Sequence, residues 1–472
     1  AEHGSMASAA AKLRADYAAA VKNIFANADF TSAAKRYQNP QENWTRFEAL
    51  LDALGRPTAG LKVVHIAGTN GKGTTSALCE SMLRSSGARV GLFTSPHLHS
   101  FRERIRVNGE LVSQAEVVEA MQQVSKAVNA VGYASPFEKL SALALVCFQR
   151  AKMEWAVLET GLGGRWDSTN HCEPVVCGIT RIGMDHMNVL GNTIGQIASE
   201  KAGILKPGVP AFTVPQESEA LEVLCRAAED VGAPLTACTL DHLGAACELP
   251  AWLSPPHQQL NAAMAVAMIR SLSSRGLLQC TVRVCIDSIA SAWWPARFER
   301  LSPAALKGGR LLLDVAHNEP SIESLVKSVA DQFPANPKAV IFGANRDKDA
   351  ASMVAKLTSL QPLLKLCVAV AADHPKAMRP DEIVRLAETA ATNKPSAESA
   401  TWRTAPSMSG ALELAAEALL KTPAAQAEPL VLCCGSVFVA AGMRAHLATA
   451  EPALFQPSDW AFEESGEPPL LM

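Results

Sequence analysis

Short hydrophobic runs alternate along this chain with longer segments whose apolar positions recur at the helical period. The hydrophobic runs of the first half cover residues 63–67, 90–94, 155–159 and 175–180. The helical period is found in residues 76–83, 115–131 and 141–152. Alternation of this kind predicts an α/β fold, with a mostly parallel sheet flanked by helices.

A second series of the same kind follows the segment "WWPARFERLSP". Its hydrophobic runs cover residues 311–315, 339–342, 366–371 and 430–434. A chain of 472 residues is longer than a single core usually accommodates. Because the rhythm changes at the prolines between residues 295 and 303, we expect two domains, residues 1–296 and 297–472.

The composition is that of an ordinary soluble protein, with 48% hydrophobic and 19% charged residues. The formal net charge of -3 gives no electrostatic reason to expect nucleic acid as a partner. The longest apolar candidate, "PLVLCCGSVFVAAGM", is too short to cross a bilayer and contains a turn signal. We therefore expect small-molecule partners only, no nucleic acid and no membrane, and a monomeric protein.

Twelve cysteines are scattered along the chain without a Cys-x-x-Cys pair, so neither a zinc ribbon nor a dithiol redox motif is indicated. Unpatterned free thiols are typical of a reducing compartment. We expect the cytoplasm, or the interior of a mitochondrion or plastid if a transit peptide has been removed.

The segment "HIAGTNGKGTT", residues 65–75, lies between a predicted strand and a predicted helix. A glycine-rich turn that opens a helix directs several backbone N–H groups to one point, and the helix dipole favours an anion there. Lys72 adds a positive charge, and the hydroxyl of Thr74 or Thr75 can contact a nucleotide-bound magnesium ion. The general phosphate-loop pattern has Ser or Thr directly after the lysine, whereas this chain has Gly73. The alternative is a tight surface turn, but the order of strand, loop, lysine and helix favours phosphate binding.

Further polar residues follow the predicted strands at their carboxyl ends, where open α/β sheets bind ligands. Glu159 ends the strand "WAVLE", Asp185 and His186 follow the next strand, and Lys201 lies downstream. A buried carboxylate is costly without a cation, so we expect a cationic side chain or magnesium near Glu159. Each residue taken alone also has a structural explanation, such as a helix cap, a loop histidine or a solvated helix face.

Several segments, in this order, resemble the folylpolyglutamate synthase and dihydrofolate synthase family of Mur-type amide ligases. The matching segments are "GTNGKGTT", "GLFTSPHLHSFRERIRVNG", "FEKLSALAL", "LETGLGGRWDSTN", "ITRIGMDHMNVLGNTIGQIASEKAGILKPG", "HQQLNAAMA", "LLLDVAHNEPSIESL" and "CGSVFVAAG". The resemblance implies a P-loop ATPase domain with a mostly parallel sheet and a smaller Rossmann-like α/β carboxy-terminal ligase domain. It also implies an enzyme that uses ATP to join L-glutamate to dihydropteroate or folate through an acyl phosphate.

The resemblance assigns roles to matching positions. The implied ATP-binding residues are Gly71, Lys72, Gly73, Thr74, Asn261, Arg297 and Asp314. Two magnesium ions are implied, with the ligands Ser95, Glu159, His186 and Lys201, and the lysine is carbamylated in many members. The implied catalytic residues are Lys72, Glu159, His186, Lys201 and His317.

The pterin of the substrate is expected to bind in the segments "SPFE" and "RWDS". The implied residues are Ser135, Phe137, Glu138, Arg165, Trp166 and Asp167. Phe137 offers a ring face, and the two carboxylates offer acceptors for pterin N–H groups. The chain departs from the family in having "PAR" where members commonly have "PGR". Since Ala296 adopts a positive φ less readily than glycine, we expect a slightly different path for the domain linker.

Two other functions are compatible with the phosphate loop. A Mur ligase acting on a UDP-sugar would need an additional amino-terminal domain. A non-catalytic nucleotide-binding regulatory module would leave Glu159, His186 and Lys201 without a role. Among folate ligases, the segments "FEKLS" and "RFE" favour a dihydrofolate synthase, and the sequence leaves open whether it also extends folates.

Overall fold

The computed structural model describes residues 2–26, 39–244, 248–393, 401–421 and 428–456. These residues form two compact units. The first comprises the described residues up to Pro250 together with Gln258–Ala292, and the second comprises Ala251–His257 and the described residues from Trp293 onwards. Each unit is built on its own sheet.

The first unit contains an eight-stranded, mostly parallel sheet. Its strands are β1 Lys62–Ala67, β2 Val90–Phe93, β3 Ile105–Val107, β4 Glu110–Leu111, β5 Trp155–Glu159, β6 Pro174–Ile179, β7 Ala211–Thr213 and β8 Leu235–Ala237. Their order is β4-β3-β2-β5-β1-β6-β7-β8, and β3 is antiparallel to both of its neighbours. Because β1 lies between β5 and β6, with Ile66 beside Glu159, the loop that follows β1 emerges at the same sheet edge as Glu159.

Helices connect these strands, and several begin at capping boxes, in which a Ser or Thr side chain and a side chain three residues later bond each other's backbone N–H groups. Ser113 and Glu116 start α4 in this way, and Thr193 and Gln196 start α7. The helices up to residue 291 are α1 Glu2–Phe25, α2 Pro40–Ala53, α3 Lys72–Ser85, α4 Gln114–Val131, α5 Pro136–Arg150, α6 Met187–Leu190, α7 Ile194–Ala202, α8 Ser218–Val231, α9 Pro256–Ser274 and α10 Val282–Ser291.

The second unit contains a six-stranded sheet in the order β13-β12-β11-β14-β10-β9, parallel except for the β9 edge. Its strands are β9 Glu299–Leu301, β10 Arg310–Leu313, β11 Lys338–Phe342, β12 Leu364–Ala369, β13 Thr401–Thr404 and β14 Leu430–Cys434. Its helices after β10 are α11 Glu319–Gln332, α12 Ala350–Leu357, α13 Pro380–Asn393, α14 Met408–Leu420 and α15 Val437–Ala450.

The inner strands of the second unit, such as β11 and β14, are buried on both faces, whereas the edge strand β13 is mostly exposed. Val340 and Phe342 of β11 belong to one hydrophobic cluster, while Ala339 and Ile341 belong to another. Since alternate residues of a strand point to opposite faces, each face of the sheet has its own core. Burial on both faces explains why these strands are continuous hydrophobic runs in the sequence.

The predicted central strands and the long helices agree with the observed elements to within a few residues. The run "PLVLCCGSVFVAAGM" is divided into β14 and α15 by a turn at Gly435, which has a φ of 99°. No helix among the described residues is long and apolar enough to span a membrane. The short edge strands, such as β3 and β13, were not predicted, because two to four residues are too few to show a period.

Candidate nucleotide and substrate site

The loop between β1 and α3 is shaped by two glycines with positive φ, Gly68 at 146° and Gly71 at 97°. A Cβ at Gly68 would lie 1.8 Å from Thr180 Oγ1, and a Cβ at Gly71 would lie 2.5 Å from Asn261 Oδ1. Neither position therefore accepts a side chain. The loop between β1 and α3 packs closely against Thr180 and Asn261, which explains the glycines at these two positions.

The first half of this loop is anchored to the segment that follows β6. The backbone N–H groups of Thr69 and Asn70 donate to the Arg181 carbonyl at 3.0 and 3.2 Å. A helix leaves its first N–H groups without intrahelical acceptors, and α3 begins at Lys72. The N–H groups suited to an anion are therefore those at the start of α3, which coincide with the predicted phosphate-binding residues from Gly71 to Thr74.

Two lysine side chains converge on this loop. The Gly68 carbonyl accepts from Lys72 Nζ at 3.1 Å and from Lys201 Nζ at 2.8 Å, and Lys72 Nζ also donates to the Thr69 carbonyl. Lys201 is buried, and that burial, together with the Lys72 charge, lowers its pKa to about 7. Asp185 and Asp167 oppose the shift. The Lys72 ammonium, with the Lys201 amine close by, makes the region beside the start of α3 positive.

The first turns of α3 bury three hydroxyl groups. Thr74 Oγ1, Thr75 Oγ1 and Ser76 Oγ are inaccessible to solvent, and none has a hydrogen-bond partner in the part of the chain that the structure describes. Buried hydroxyls without partners are unusual in folded proteins. Their position at the start of α3 fits a site for a phosphate and its magnesium ion.

Glu159 lies at the end of β5 and is buried. Its Oε2 accepts the backbone N–H of Ser95 at 3.2 Å, so two of the predicted metal ligands are in contact. The buried Arg104 interacts electrostatically with Glu159, which agrees with the expectation of a cation near this carboxylate. Burial lowers the pKa of Arg104 to about 10, against the effect of Glu103 and Glu159.

His186 is the residue before α6 and has a left-handed backbone with a φ of 51°. Its backbone N–H donates to Asp185 Oδ1 at 2.8 Å, and its Nε2 lies 3.9 Å from the same oxygen. Within the described ranges, no group of three or more His, Cys, Asp or Glu side chains is arranged to hold a metal. Of the four predicted ligands, only Glu159 and His186 are of these types.

Two of the predicted pterin-binding residues form the capping box of α5. Ser135 Oγ accepts the Glu138 N–H, and Glu138 Oε2 accepts the Ser135 N–H at 2.6 Å. Both carboxylate oxygens of Glu138 also accept from Arg46 Nη2, at 3.0 and 3.1 Å. The structure thus gives Glu138 a structural role that differs from the predicted one as a pterin acceptor. The sequence analysis missed Arg46, because no spacing in the sequence connects α2 with α5.

Asp167 organises the loop after β5. Its Oδ2 accepts from the N–H groups of Gly161 and Leu162, both at 3.0 Å. Its Oδ1 accepts from the Thr169 N–H at 3.0 Å and from Thr169 Oγ1 at 2.6 Å. Four donors from its own loop occupy this buried carboxylate, so its observed role also differs from the predicted one. Burial raises its pKa, and these four hydrogen bonds oppose the shift.

The same network extends to β1 through a residue that the sequence analysis did not identify. His65 is fully buried, and its Nε2 lies 2.8 Å from Thr169 Oγ1. Since that hydroxyl donates to Asp167, it accepts from His65, which places the proton on Nε2. Burial, with a smaller effect from Lys206, lowers the pKa of His65 to about 3.

The remaining predicted pterin residues present larger surfaces. The Phe137 ring lies so close to Gly161 that a Cβ there would be 2.3 Å from it, and it packs 5.8 Å from the Phe93 ring. Trp166 makes an edge contact with Trp44 at 6.1 Å. Arg165 is exposed, and its Nη2 donates to the Ser199 carbonyl at 3.1 Å. These three side chains keep faces or donors that a ligand can use.

In the second unit, the predicted residues Arg297, Asp314 and His317 lie near the carboxyl end of β10, beside the start of β9. Asp314 is buried and accepts the N–H groups of Phe298 and Ala316 at 2.9 and 2.8 Å. Burial raises its pKa, and the Arg297 charge opposes the shift. His317 Nδ1 donates to the Val315 carbonyl at 2.8 Å.

Ala296 adopts a positive φ of 53°. Alanine therefore takes here a conformation that glycine adopts more readily, and the predicted difference in the path of the linker stays a prediction. The backbone N–H of Ala296 donates to Glu299 Oε2 at 2.7 Å, and the buried Glu299 is paired with the buried Arg444 through two contacts of 3.1 Å. This buried pair holds the turn in place.

Comparison with known proteins relates this site to a family. Residues 296–437 match the model of the Mur ligase, glutamate ligase domain. The dihydrofolate synthase/folylpolyglutamate synthase of Bacillus subtilis is 36% identical over 343 residues, which are 67% of this chain and 78% of that protein. The chain belongs to the dihydrofolate synthase/folylpolyglutamate synthase family. Members of this family are ATP-dependent glutamate ligases, so the predictions of the family and of an ATP-dependent ligase are confirmed.

Solved structures of the family share the fold. E. coli FolC in complex with DHPP and ADP has a TM-score of 0.72 and 27% identity, and the match covers 89% of this chain and 98% of that one. The bifunctional folylpolyglutamate synthase/dihydrofolate synthase of Yersinia pestis, complexed with AMPPNP and an Mn ion, has a TM-score of 0.70 and 26% identity, over 86% and 93% of the two chains. The predicted α/β fold is confirmed.

Proposed function

We propose that this chain joins the amino group of L-glutamate to the carboxylate of dihydropteroate, and to that of folates already carrying glutamate, with ATP as the energy source. The observation that carries the proposal is the convergence of Lys72 and Lys201 on the Gly68 carbonyl, beside the start of α3. A triphosphate is the polyanion that this combination of loop, helix start and Lys72 ammonium suits, and Lys201 lies at the same carbonyl.

The chemistry needs an activated carboxylate, because carboxylates do not react with amines unaided. A carboxylate oxygen of the substrate attacks the γ-phosphorus of ATP, the bond to the β-phosphate oxygen breaks, and ADP leaves. The glutamate nitrogen then attacks the acyl phosphate carbonyl, and inorganic phosphate departs as the amide forms. The protein contributes charge neutralisation and alignment, as in other phosphoryl transfers.

Residues of the first unit are proposed to bind the phosphates and the magnesium ions. The backbone from Gly71 to Thr74 and the Lys72 ammonium would hold the phosphates, with Asn261 packed against the loop. Magnesium, which prefers oxygen ligands and supplies charge neutralisation at the phosphates, would be held by Ser95, Glu159, His186 and Lys201. For residues of the second unit the predicted roles are proposed unchanged: nucleotide binding for Arg297 and Asp314, and catalysis for His317. We keep 1–296 as the ATPase domain and 297–472 as the glutamate-ligase domain.

Lys201 is proposed to carry a carbamate in the active enzyme. The amine must be neutral to attack carbon dioxide, and its burial beside Lys72 makes the neutral form accessible near pH 7. The nitrogen attacks the carbon of CO₂, one proton is released, and the lysine becomes an anionic ligand. Clear density for an unmodified ammonium in a crystal soaked with magnesium and bicarbonate would count against this modification.

The pterin ring is proposed to bind at the Phe137 face, with Arg165 and Trp166 nearby. Ser135, Glu138 and Asp167 would act indirectly, by fixing the start of α5 and the loop after β5. Glu138 has structural partners, so it provides no evidence for dihydropteroate binding. The proposal that dihydropteroate is a substrate is supported by the similarity to the B. subtilis enzyme, whose name covers both activities. We propose that both reactions occur in a monomer, in a reducing compartment.

The proposal is tested by offering the purified protein two acceptors, dihydropteroate or a reduced monoglutamyl folate, each with ATP, magnesium and labelled glutamate. We expect label in products of both acceptors. Activity confined to the monoglutamyl folate would overturn the dihydropteroate assignment but not the ligase mechanism. Label in neither product would contradict the proposed function.

A further inference from the structure

Two cysteines lie side by side at the beginning of α10. Cys280 Sγ and Cys285 Sγ are 3.5 Å apart, a hydrogen-bonding distance between thiols. A disulfide needs the sulfurs to close to about 2.05 Å, so a movement of roughly 1.5 Å would join them. Five positions separate the two residues, and Thr281, the N-cap of α10, stands between them.

The two thiols differ in access to solvent. Cys280 is half-exposed, whereas Cys285 is buried. A small oxidant in solution can therefore reach Cys280 first. Such an arrangement, with one accessible and one shielded thiol in contact, suits an attacking cysteine and a resolving cysteine.

The hydrogen bond between them favours the same division. It lowers the pKa of the Cys280 thiol, against the effect of burial, and the nearby Ser86 at the end of α3 lowers it further. The same hydrogen bond, together with burial, raises the pKa of Cys285. Cys280 is thus the thiol with the greater thiolate character, which is the form that reacts with oxidants.

The pair lies away from the proposed nucleotide site. Ser86 follows the last residue of α3, whereas the phosphate loop precedes its first. With a rise of about 1.5 Å per residue, the fourteen residues of α3 separate the two places by about 20 Å. The cysteine pair is therefore distinct from the ligase chemistry.

We infer that Cys280 and Cys285 form a redox-active site, which hydrogen peroxide converts reversibly into an intramolecular disulfide. The Cys280 thiolate attacks one peroxide oxygen, the O–O bond breaks, and the departing hydroxide takes up a proton to give water and a sulfenic acid. The Cys285 sulfur then attacks the Cys280 sulfur, the S–O bond breaks, and a second water leaves. Two thiols are oxidised by two electrons, and one peroxide is reduced to two waters.

The sequence provides a direct assay, because trypsin cuts at Arg283, between the two cysteines, and at Arg275 and Arg297 on either side. The full chain is treated with about one equivalent of hydrogen peroxide, alkylated and digested without reductant. We expect peptides 276–283 and 284–297 to appear joined in one ion by mass spectrometry. Dithiothreitol should separate them.

Cys225, which is exposed, is the matched control within the same molecule. We expect Cys280 to be oxidised at least about tenfold faster than Cys225, since exposure alone does not create a reactive thiol. In Cys285→Ser, the Cys280 sulfenic acid should persist and be trapped by dimedone, while the wild type should show little trapping. Absence of the joined peptides in the wild type, or equal oxidation rates at Cys225 and Cys280, would overturn the inference.

Discussion

Two groups of buried polar atoms in the first unit are treated differently by the fold. The carboxylate of Asp167 accepts four hydrogen bonds from its own loop. The hydroxyls of Thr74, Thr75 and Ser76 are also buried, yet they have no hydrogen-bond partner among the described residues. Satisfied groups stabilise the fold, whereas buried groups without partners carry a cost that binding can remove. Asp167 therefore stabilises the structure of the site, whereas the three hydroxyls are available to contact a ligand.

The largest change in stability is expected at Asp167. Replacing it by alanine in Asp167→Ala leaves four donors without an acceptor, so we expect the free energy of unfolding to fall by about 3 to 5 kcal/mol. Urea denaturation measures the loss. A fall below about 1 kcal/mol, combined with a selective rise in the KM for the pterin substrate, would restore the predicted role as a ligand contact.

A second, pH-dependent effect is expected at His65, whose Nε2 is hydrogen-bonded to the Asp167 network through Thr169. Its pKa is about 3 in the folded protein and about 6.5 when unfolded, so the unfolded state takes up a proton as pH falls below 6.5 and the folded state does not. The stability that the neutral His65 provides is therefore lost progressively between pH 6.5 and pH 3.

The test compares the wild type with His65→Gln, which keeps an N–H group but does not titrate in this range. Between pH 7.5 and pH 5, we expect the wild type to lose about 2 kcal/mol more of its unfolding free energy than the variant. Denaturation at the two pH values measures the difference. Equal losses of unfolding free energy in the wild type and the variant would show that His65 takes up a proton in the folded state as well.

The unsatisfied hydroxyls can be removed without changing the shape of the side chain. In Thr74→Val, we expect stability to be kept or to rise by about 1 kcal/mol, while the rate of glutamate addition falls by roughly tenfold or more. Thr75→Val is the matched control, since its hydroxyl is equally buried but the family resemblance assigns nucleotide binding to Thr74 and not to Thr75. Equal loss of activity in both variants would argue for a packing effect in place of a contact to ATP or its metal.

The smallest effect concerns the backbone of the second unit. Ala296 has a positive φ, which alanine takes at a cost of about 1 kcal/mol or more, and glycine removes that cost while increasing the freedom of the unfolded chain. We therefore expect Ala296→Gly to raise the unfolding free energy by about 0.5 kcal/mol. A decrease would mean that the methyl group contributes packing that outweighs the strain.

The sequence predicted well what depends on local pattern. Buried parallel strands such as β1, β5 and β14 are continuous hydrophobic runs, and the phosphate loop is a contiguous motif. The partners of Glu138 and Asp167 were not predicted. Arg46 lies 92 residues from Glu138, and the donors to Asp167 are backbone groups that are alike in every sequence. Whether a buried polar group is satisfied depends on tertiary geometry, which periodicity does not encode.

The pair Cys280 and Cys285 illustrates the same limit. The cysteine spacing gave no sign of a redox motif, because five positions apart is not a known dithiol pattern. The contact arises because Cys280 precedes the N-cap of α10 and Cys285 lies in its first turns. A contact of this kind can be predicted only when the residue at which α10 begins is known.

The loop with Lys72 is proposed to hold the phosphates of ATP for ligation to glutamate. The most direct test of this proposal is glutamate-dependent phosphate release by Lys72→Ala, measured beside Lys126→Ala, which removes an exposed lysine of α4. We predict a loss of at least roughly a hundredfold for Lys72→Ala with an unchanged fold by circular dichroism, and wild-type rates for Lys126→Ala. Phosphate release by folded Lys72→Ala at a rate near that of the wild type would contradict the account.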